Sequence, residues 1–406
     1  DLVLLFCNPS FAFAYFAIRL SLLLILQSVF LFSSMHLIIS SGGTGGHFYP
    51  GLSIAREFVA RGGKVTFLVS GQQTAEQKAT AEKFGLAARE IPSVRAPHSP
   101  LDILKFPFRF WGCCRKIKAL YRELQGDALL SMGSFTSVAP CWSWPKNGRP
   151  LFLHEGNTFM GQANRLFAAK ATAIALTLPL VHSEQLKGTP SKIAGMPLRE
   201  AILEAAANPP DASERAAILA GYGLSPEKRT LLVFGGSQGA RAIVNLMTET
   251  MPLLSGKASE LQMIILTGST ENDALEIACR NAGIVSRIAQ KDPDIHRCYQ
   301  VADAVLCRAG ASSICELSLF GKAAMLVPLP SAKDNHQYFN AKCLSDAGAA
   351  KLLVQAETTP QKLSAMLEDW LANPASWEAM GKAIHQFARP NATKDVVDMI
   401  QEFSGK

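Results

Sequence analysis

Three stretches carry small residues where a strand should hand over to a helix. Gly42-Gly43-Thr44-Gly45-Gly46-His47 follows the apolar run His36–Ser40, and Gly235-Gly236-Ser237-Gln238-Gly239-Ala240 follows Thr230–Phe234. Backbone N–H groups at such a turn, aided by the dipole of the following helix, favour an anionic or electron-rich group, and glycine lets a ligand come close to the chain. Neither stretch has the spacing of a P-loop or of GxGxxG, and a tight turn without a ligand is the plain alternative. The third stretch, Arg308-Ala309-Gly310-Ala311-Ser312-Ser313-Ile314-Cys315-Glu316, sets a carboxylate about one turn into a helix. Glu316 can accept two hydrogen bonds from a ribose diol while the helix start faces a diphosphate, or it can be an acidic residue that the dipole favours. His47, at the mouth of the first turn, can take a proton near neutral pH, or it can cap and pack. Asp292-Pro293-Asp294 offers two carboxylates to a cation, but proline between them and the lack of clustered ligands favour a plain loop. Neither a metal nor a cofactor is expected.

The elements that hold these residues follow a repeated pattern. His36–Ser40 reads as a buried strand, Ser41 to His47 as a turn, Pro50 as the first residue of a helix stopped by Gly62-Gly63, and Lys64–Val69 as the next strand. The same βαβ grammar restarts at Thr230–Phe234, with a turn, a helix over residues 240–249, and a strand over 261–267. It continues through the strand Ala304–Cys307, a helix to Phe320 stopped by Gly321, and a strand over 323–327. Such units build parallel sheets covered on both faces, so the fold class is α/β with two arrays. The expected domains are 35–199, then a connection over 200–229 marked by Asn208-Pro209-Pro210-Asp211, then 230–370, with C-terminal helices over 371–406 packing back. The last helix, near residues 394–402, carries Val396, Val397 and Ile400 on one face.

Length and composition agree with two domains. The chain has 406 residues, 48% hydrophobic and 18% charged, which excludes disorder and collagen-like composition. Nine cysteines without a CxxC pair argue against a disulfide framework or a zinc site. The net charge is +7, and it concentrates between Arg95 and Arg122, which points to an anionic partner. There Phe106, Phe108, Phe110 and Trp111 interleave with Lys105, Arg109, Arg115, Lys116, Lys118 and Arg122. This reads as a patch for an anionic membrane surface, because Pro107 and Gly112 are expected to interrupt the regular helix that a purely structural reading requires. Residues 11–32 are long and apolar enough for a membrane span. The chain begins at Asp1, and Met35 opens the first strand, so 1–34 is expected to be an upstream extension of the true start, the alternative being a membrane segment.

Seven motifs then occur in order. They are Ser41 to His47, Met132-Gly133-Ser134-Phe135, His154-Glu155-Gly156-Asn157, Gly195-Met196-Pro197-Leu198-Arg199, Gly235 to Ala240, Cys307-Arg308-Ala309-Gly310 with Glu316, and Lys333-Asp334-Asn335-His336-Gln337-Tyr338. From about Met35 to the C-terminus the chain resembles the MurG family of bacterial N-acetylglucosaminyltransferases. The resemblance implies a GT-B fold, two Rossmann-like domains facing across a cleft. It implies inverting transfer of GlcNAc from UDP-GlcNAc to the 4-hydroxyl of N-acetylmuramic acid in lipid I, giving lipid II and UDP in peptidoglycan synthesis. The place it implies is the cytoplasmic face of the bacterial inner membrane, peripherally bound, with other cell-wall synthesis proteins and no nucleic acid as partners.

By motif position, Ser237, the run Ala311, Ser312, Ser313, Ile314, Cys315 and Glu316, and Gln337 would hold the donor, with Glu316 on the ribose. Thr44, Gly45, Gly46, Asn157 and Arg199 would complete the cleft from the other side, and His47 would be the general base. Two motifs depart from the family pattern: MGGY reads Met132-Gly133-Ser134-Phe135, without the phenol, and HEQN reads His154-Glu155-Gly156-Asn157. The uracil contact does not carry over to the Asp292-Pro293 loop. The rivals are a diacylglycerol glycosyltransferase of related fold and a non-catalytic sugar-nucleotide-binding regulator at the membrane. An intact His47 with Glu316 argues against the regulator.

Overall fold

Most strands of the two sheets are short apolar runs of four to six residues, and the edge strands Ala87–Glu90, Ser191–Ile193 and Lys351–Leu352 are shorter or more polar. The structure, a computed structural model, describes residues 35–42, 45–71, 73–92, 99–145 and 147–405, without the side chains of Pro100 and of residues 237–239. The expectations for residues 1–34 and for Thr44 lie outside the described residues.

The first sheet comprises β1 (His36–Ser40), β2 (Lys64–Val69), β3 (Ala87–Glu90), β4 (Ala128–Ser131), β5 (Leu151–Glu155), β6 (Ala173–Leu176) and β7 (Ser191–Ile193). Its order is β3-β2-β1-β4-β5-β6-β7. The pairings from β3 to β5 are parallel, with Ile38 opposite Thr66 on one side and Leu129 on the other. The second sheet comprises β8 (Arg229–Phe234), β9 (Leu261–Leu266), β10 (Ser286–Ala289), β11 (Ala304–Cys307), β12 (Ala323–Leu326) and β13 (Lys351–Leu352). Its order is β10-β9-β8-β11-β12-β13, parallel throughout. Both sheets therefore reverse direction once, between β1 and β4 and between β8 and β11. Open parallel sheets bind ligands at the carboxyl ends of the strands beside such a reversal. The turns after β1, β4, β8 and β11 are the ones whose residues drew attention in the sequence.

The chain divides into two compact units. One holds the described part of Asp1–His154 with Leu166–Ile174 and Lys394–Lys406, and the other holds Glu155–Arg165 and Ala175–Thr393. The closing helix Ala392–Ser404 buries Val396, Val397 and Ile400 completely, and in the first unit Asp398 pairs with Arg61 at 2.5 Å. The 200–229 stretch is not bare linker. It forms helices Glu200–Ala207 and Ala212–Gly221, the second closed by a capping box between Asp211 and Glu214, and it buries Ile202 and Leu219 in the core of the second unit.

Three helices differ from the sequence expectation. The first begins at Gly45 rather than Pro50, and the helix after β8 begins at Gly236 rather than Ala240. Glycines that read as turn are the opening helical turn, where the first four N–H groups lack helical partners in any case, so Pro50 forfeits a single bond to Gly46. The third is Pro100–Leu124, one helix of 25 residues that runs through both Pro107 and Gly112. Its inward stripe of Cys113, Cys114, Ile117 and Tyr121 is buried, and the Tyr121 hydroxyl donates to the Pro140 carbonyl at 3.1 Å. That packing outweighs the one lost bond at Pro107 and the ~1 kcal/mol that a helical glycine costs.

Candidate active site

In the first unit, β1 delivers the chain to Gly42, whose backbone lies so close to its neighbours that a Cβ would stand 2.8 Å from the Ser70 carbonyl oxygen and 3.0 Å from Thr136 Oγ1. No larger residue fits there. The helix Gly45–Ala60 then puts His47 in its first turn, half-buried, with Nδ1 2.8 Å from the Met132 carbonyl oxygen just past β4. A carbonyl can only accept, so Nδ1 carries the proton and the lone pair falls on Nε2, the atom a general base requires. Gly45 and Gly46 sit directly before it, Gly46 exposed. The β4 turn holds Ser134 at φ 66° and ψ 166°, a backbone region that belongs almost wholly to glycine. Its hydroxyl bonds Thr136 Oγ1 at 2.5 Å, and Ser137 Oγ donates to the Gly133 carbonyl at 2.6 Å.

In the second unit, Gly235 is fixed by the same argument, since a Cβ would come 2.1 Å from Ala240 Cα. Ser237 lies in the first turn of the helix Gly236–Thr250, and its side chain lies outside the described ones. After β11, Gly310 is the N-cap of the helix Ala311–Phe320 and offers no side chain to the N–H groups of Ala311, Ser312 and Ser313. Those donors are available to an anion. Ile314 and Cys315 turn into the core, and burial pushes the Cys315 thiol up to about 12, so from these two a ligand meets at most backbone.

Glu316, half-buried one turn on, accepts a hydrogen bond from the Tyr299 hydroxyl at 2.8 Å. Burial raises its carboxyl above the ordinary range, while the Tyr299 hydrogen bond and the charge of Arg199 act in the opposite direction. Arg199 is exposed at the start of the helix Glu200–Ala207. Gln337 uses its amide oxygen to accept from the Leu329 N–H at 3.0 Å, which leaves the Nε2 amide to a ligand.

The structure brings Asn157, Arg199, Ala311 to Glu316 and Gln337 into one unit. Asn157 nevertheless follows β5 of the first sheet, the sheet whose β1 leads to His47. What ties it to the second unit is Asn340, which is fully buried. Its Nδ2 donates to Asn157 Oδ1 at 3.0 Å and to the Ala309 carbonyl at 3.1 Å, and its Oδ1 accepts from the Thr158 N–H at 2.9 Å and the Thr158 hydroxyl at 3.1 Å. Every hydrogen-bonding position of that amide is filled. Glu155 does the same from within. Its Oε1 accepts from Asn157 N at 3.0 Å and Asn157 Nδ2 at 3.3 Å, and its Oε2 from Gly161 N at 2.9 Å and Asn164 Nδ2 at 2.8 Å.

Sequence reasoning singled out neither Glu155, Asn340 nor Tyr299. Glu155 stands inside a quoted motif and Asn340 two residues past another, whereas Tyr299 becomes visible only through its partner. Asp292 accepts from the Tyr222 hydroxyl at 3.0 Å and from the Asp294 N–H at 2.7 Å, as a loop carboxylate does. Among the described residues no three His, Cys, Asp or Glu side chains cluster as a metal site.

The basic aromatic stretch splits by helical phase. Phe106 and Phe110 stack at 5.7 Å on the inward side, whereas Phe108 and Trp111 are 77% and 65% exposed, in line with Leu101 and Leu104. Arg115 lies 5.4 Å over the Trp111 ring, and Lys105, Arg109 and Lys116 flank the stripe, all exposed. Among the described residues no helix is long and apolar enough to cross a membrane.

Two Rossmann-like sheets of seven and six strands, each with a glycine-opened helix at its reversal point, have the architecture of the GT-B type of glycosyltransferase. The family model of the glycosyltransferase family 28 N-terminal domain matches residues 37–176, and that of the C-terminal domain matches 230–396. The chain belongs to glycosyltransferase family 28. It is 33% identical to the UDP-N-acetylglucosamine--N-acetylmuramyl-(pentapeptide) pyrophosphoryl-undecaprenol N-acetylglucosamine transferase of Verminephrobacter eiseniae, over 90% of this chain and 98% of that protein. Identity to the transferase of the same name from Stutzerimonas stutzeri is 31%, with the same coverage. The crystal structure of Acinetobacter baumannii MurG matches with a TM-score of 0.74 at 26% identity, covering 91% of this chain and 99% of that one.

Proposed function

We propose that the chain transfers GlcNAc from UDP-GlcNAc to the 4-hydroxyl of the N-acetylmuramic acid in lipid I, giving lipid II and UDP. The observation that carries this reading is the second unit's reversal point, where the open N–H groups of Ala311 to Ser313 stand one helical turn from the half-buried carboxyl of Glu316. That pairing suits a nucleoside diphosphate, with the diphosphate at the helix start and the ribose diol on Glu316. Ser237 and the helix start at Gly236 take part on the diphosphate side, and Asn157 and Gln337 meet the sugar end.

In this reading the acceptor hydroxyl attacks the anomeric carbon as the bond to the UDP oxygen breaks, with inversion. The hydroxyl proton passes to His47 Nε2, whose tautomer is set by the Met132 carbonyl. Gly45 and Gly46, which directly precede that base in the first turn of its helix, belong to the acceptor side. Two helix N-termini and Arg199 offset the charge that develops on the departing diphosphate.

The lipid substrate calls for a surface that meets a membrane. The exposed stripe of Leu101, Leu104, Phe108 and Trp111 with its flanking cations suits peripheral binding to anionic lipid, at the cytoplasmic face of the bacterial inner membrane. The deciding experiment offers labelled UDP-GlcNAc with a short-chain lipid I analogue or with diacylglycerol. Label in the lipid I analogue alone is the expected result, and label in diacylglycerol alone refutes the proposal.

A further inference from the structure

We infer that Arg165 and Asp334 are positioning residues for the sugar end of the donor site, an assignment that rests on the UDP-GlcNAc reading above. Asp334 at φ 52° and Asn335 at φ 53° are consecutive residues with left-handed backbone, and neither is glycine. L residues avoid that region, so the surroundings must hold the pair in place. What holds Asp334 is one short stretch of the same unit. Arg165 NH2 lies 2.7 Å from Asp334 Oδ2, and Gln162 Nε2 donates to Oδ1 at 3.1 Å.

The same stretch also grips the far side of the loop. The Arg165 guanidinium sits 5.0 Å from the centroid of the Phe159 ring, and that ring stacks on Phe339 at 5.3 Å with 17° between the planes. Lys187 fixes the Arg165 carbonyl at 2.8 Å. Gln337 lies between the two gripped residues, at the second position of the helix His336–Asp346, with its oxygen tied to Leu329. The direction in which its Nε2 points is therefore set by the left-handed turn before it and the aromatic stack after it. Gly310 to Glu316 and Arg199, which suit the UDP moiety, have no hydrogen bond or ion pair with Arg165 or Asp334. Loosening the pair should therefore weaken sugar recognition and spare UDP.

The test is transfer to a short-chain lipid I analogue by the full chain, reading the KM for UDP-GlcNAc and the Ki for UDP as product inhibitor. Arg165→Met keeps the apolar stem over Phe159 and removes the charge, Asp334→Asn keeps a residue that tolerates left-handed backbone, and Arg165→Lys restores the charge. The first two should raise the donor KM about five- to tenfold with the UDP Ki within about twofold of wild type, and Arg165→Lys should recover most of the loss. Retained UDP inhibition also shows that the variants are folded. An equal rise in KM and Ki, or no change in either, overturns the assignment while the donor reading stands. Absence of GlcNAc transfer by the wild-type chain overturns both.

Discussion

Replacing Glu155 by glutamine changes one oxygen to an amide and leaves the shape intact. Its effect can be worked from the hydrogen bonds. Each carboxylate oxygen accepts two N–H donors, Asn157 N and Nδ2 on one side and Gly161 N and Asn164 Nδ2 on the other. Glutamine must turn its NH2 toward one of these pairs, whichever way the amide flips. Two charge-assisted bonds are then lost and donors face donors in a site that is 3% exposed.

Hydrogen bonds to a charged group contribute ~1.5–3 kcal/mol each. After relaxation of the 156–164 loop, a loss of about 3 kcal/mol is a fair expectation. For a unit of roughly 230 residues, 1 kcal/mol shifts Tm by about 2–4 °C, so the transition of the second unit should fall by about 6–12 °C. Glu155→Asp should fall too, because the shorter side chain cannot reach both donor pairs. Calorimetry of the full chain separates this transition from that of the first unit. Since Asn157 is tied to the same carboxylate, transfer activity at a temperature where the variant is folded should drop as well. A Glu155→Gln protein whose second transition lies within 2 °C of wild type would refute the reasoning, because the four donors would then have found other acceptors.

His47→Ala should lower turnover by ~10² to 10⁴ while donor binding by calorimetry is retained, because the base acts on the acceptor hydroxyl. Glu316→Ala should raise the donor KM and reduce the preference for UDP-GlcNAc over its 2′-deoxyribose analogue. Unchanged discrimination would return Glu316 to a role at the helix start. Because burial raises the Glu316 carboxyl, the ionised form that accepts from the diol is lost, as pH falls, at a higher pH than for an ordinary glutamate. The acid limb of kcat/KM for the donor should reflect this and move in Glu316→Gln. Transfer should persist in excess EDTA, since two helix starts and Arg199 balance the diphosphate; loss of activity restored by magnesium or manganese would revive Asp292 and Asp294 as ligands. Replacing Phe108, Trp111, Arg115 and Lys116 together should weaken binding to anionic vesicles and use of long-chain lipid I yet spare a water-soluble acceptor, whereas equal loss on both acceptors would make the stripe structural.

The strands named from the sequence were legible because each is a short apolar run closed by glycine or a polar turn, whereas Ala87–Glu90 and Ser191–Ile193, which are not apolar runs, went unnamed. His36–Ser40, Lys64–Val69 and Ala304–Cys307 have the bounds that the sequence suggests. Helix starts were displaced where glycine opens the helix. Helix phase beyond residue 100 was hidden by Pro107, since local propensity carries no information about the buried face that stabilises the Pro100–Leu124 helix. The hydrogen bonds that hold Asn157 were not legible at all. Its amide is fixed by Asn340, 183 residues further on, and no local pattern encodes a contact of that range.

The two departures from the family motifs acquire a physical meaning in this light. At 134 the backbone keeps a conformation suited to glycine although the residue is serine. Bonds around it hold it there, with Ser134 on Thr136 and Ser137 on the Gly133 carbonyl, while the adjacent Met132 carbonyl receives His47. The β4 turn thus presents one carbonyl to His47 while the residue at 134 keeps the glycine-type backbone. At 156 the reverse holds. A Cβ on Gly156 would lie 3.2 Å from Met196 Cε and 3.8 Å from Ala311 Cβ, so glycine leaves room beside the first residue of the helix Ala311–Phe320. Neither departure disturbs Glu155 or Asn340, whose bonds fix the loop through neighbouring atoms. The motif can therefore lose its side chain at 156 and still hold Asn157 in place.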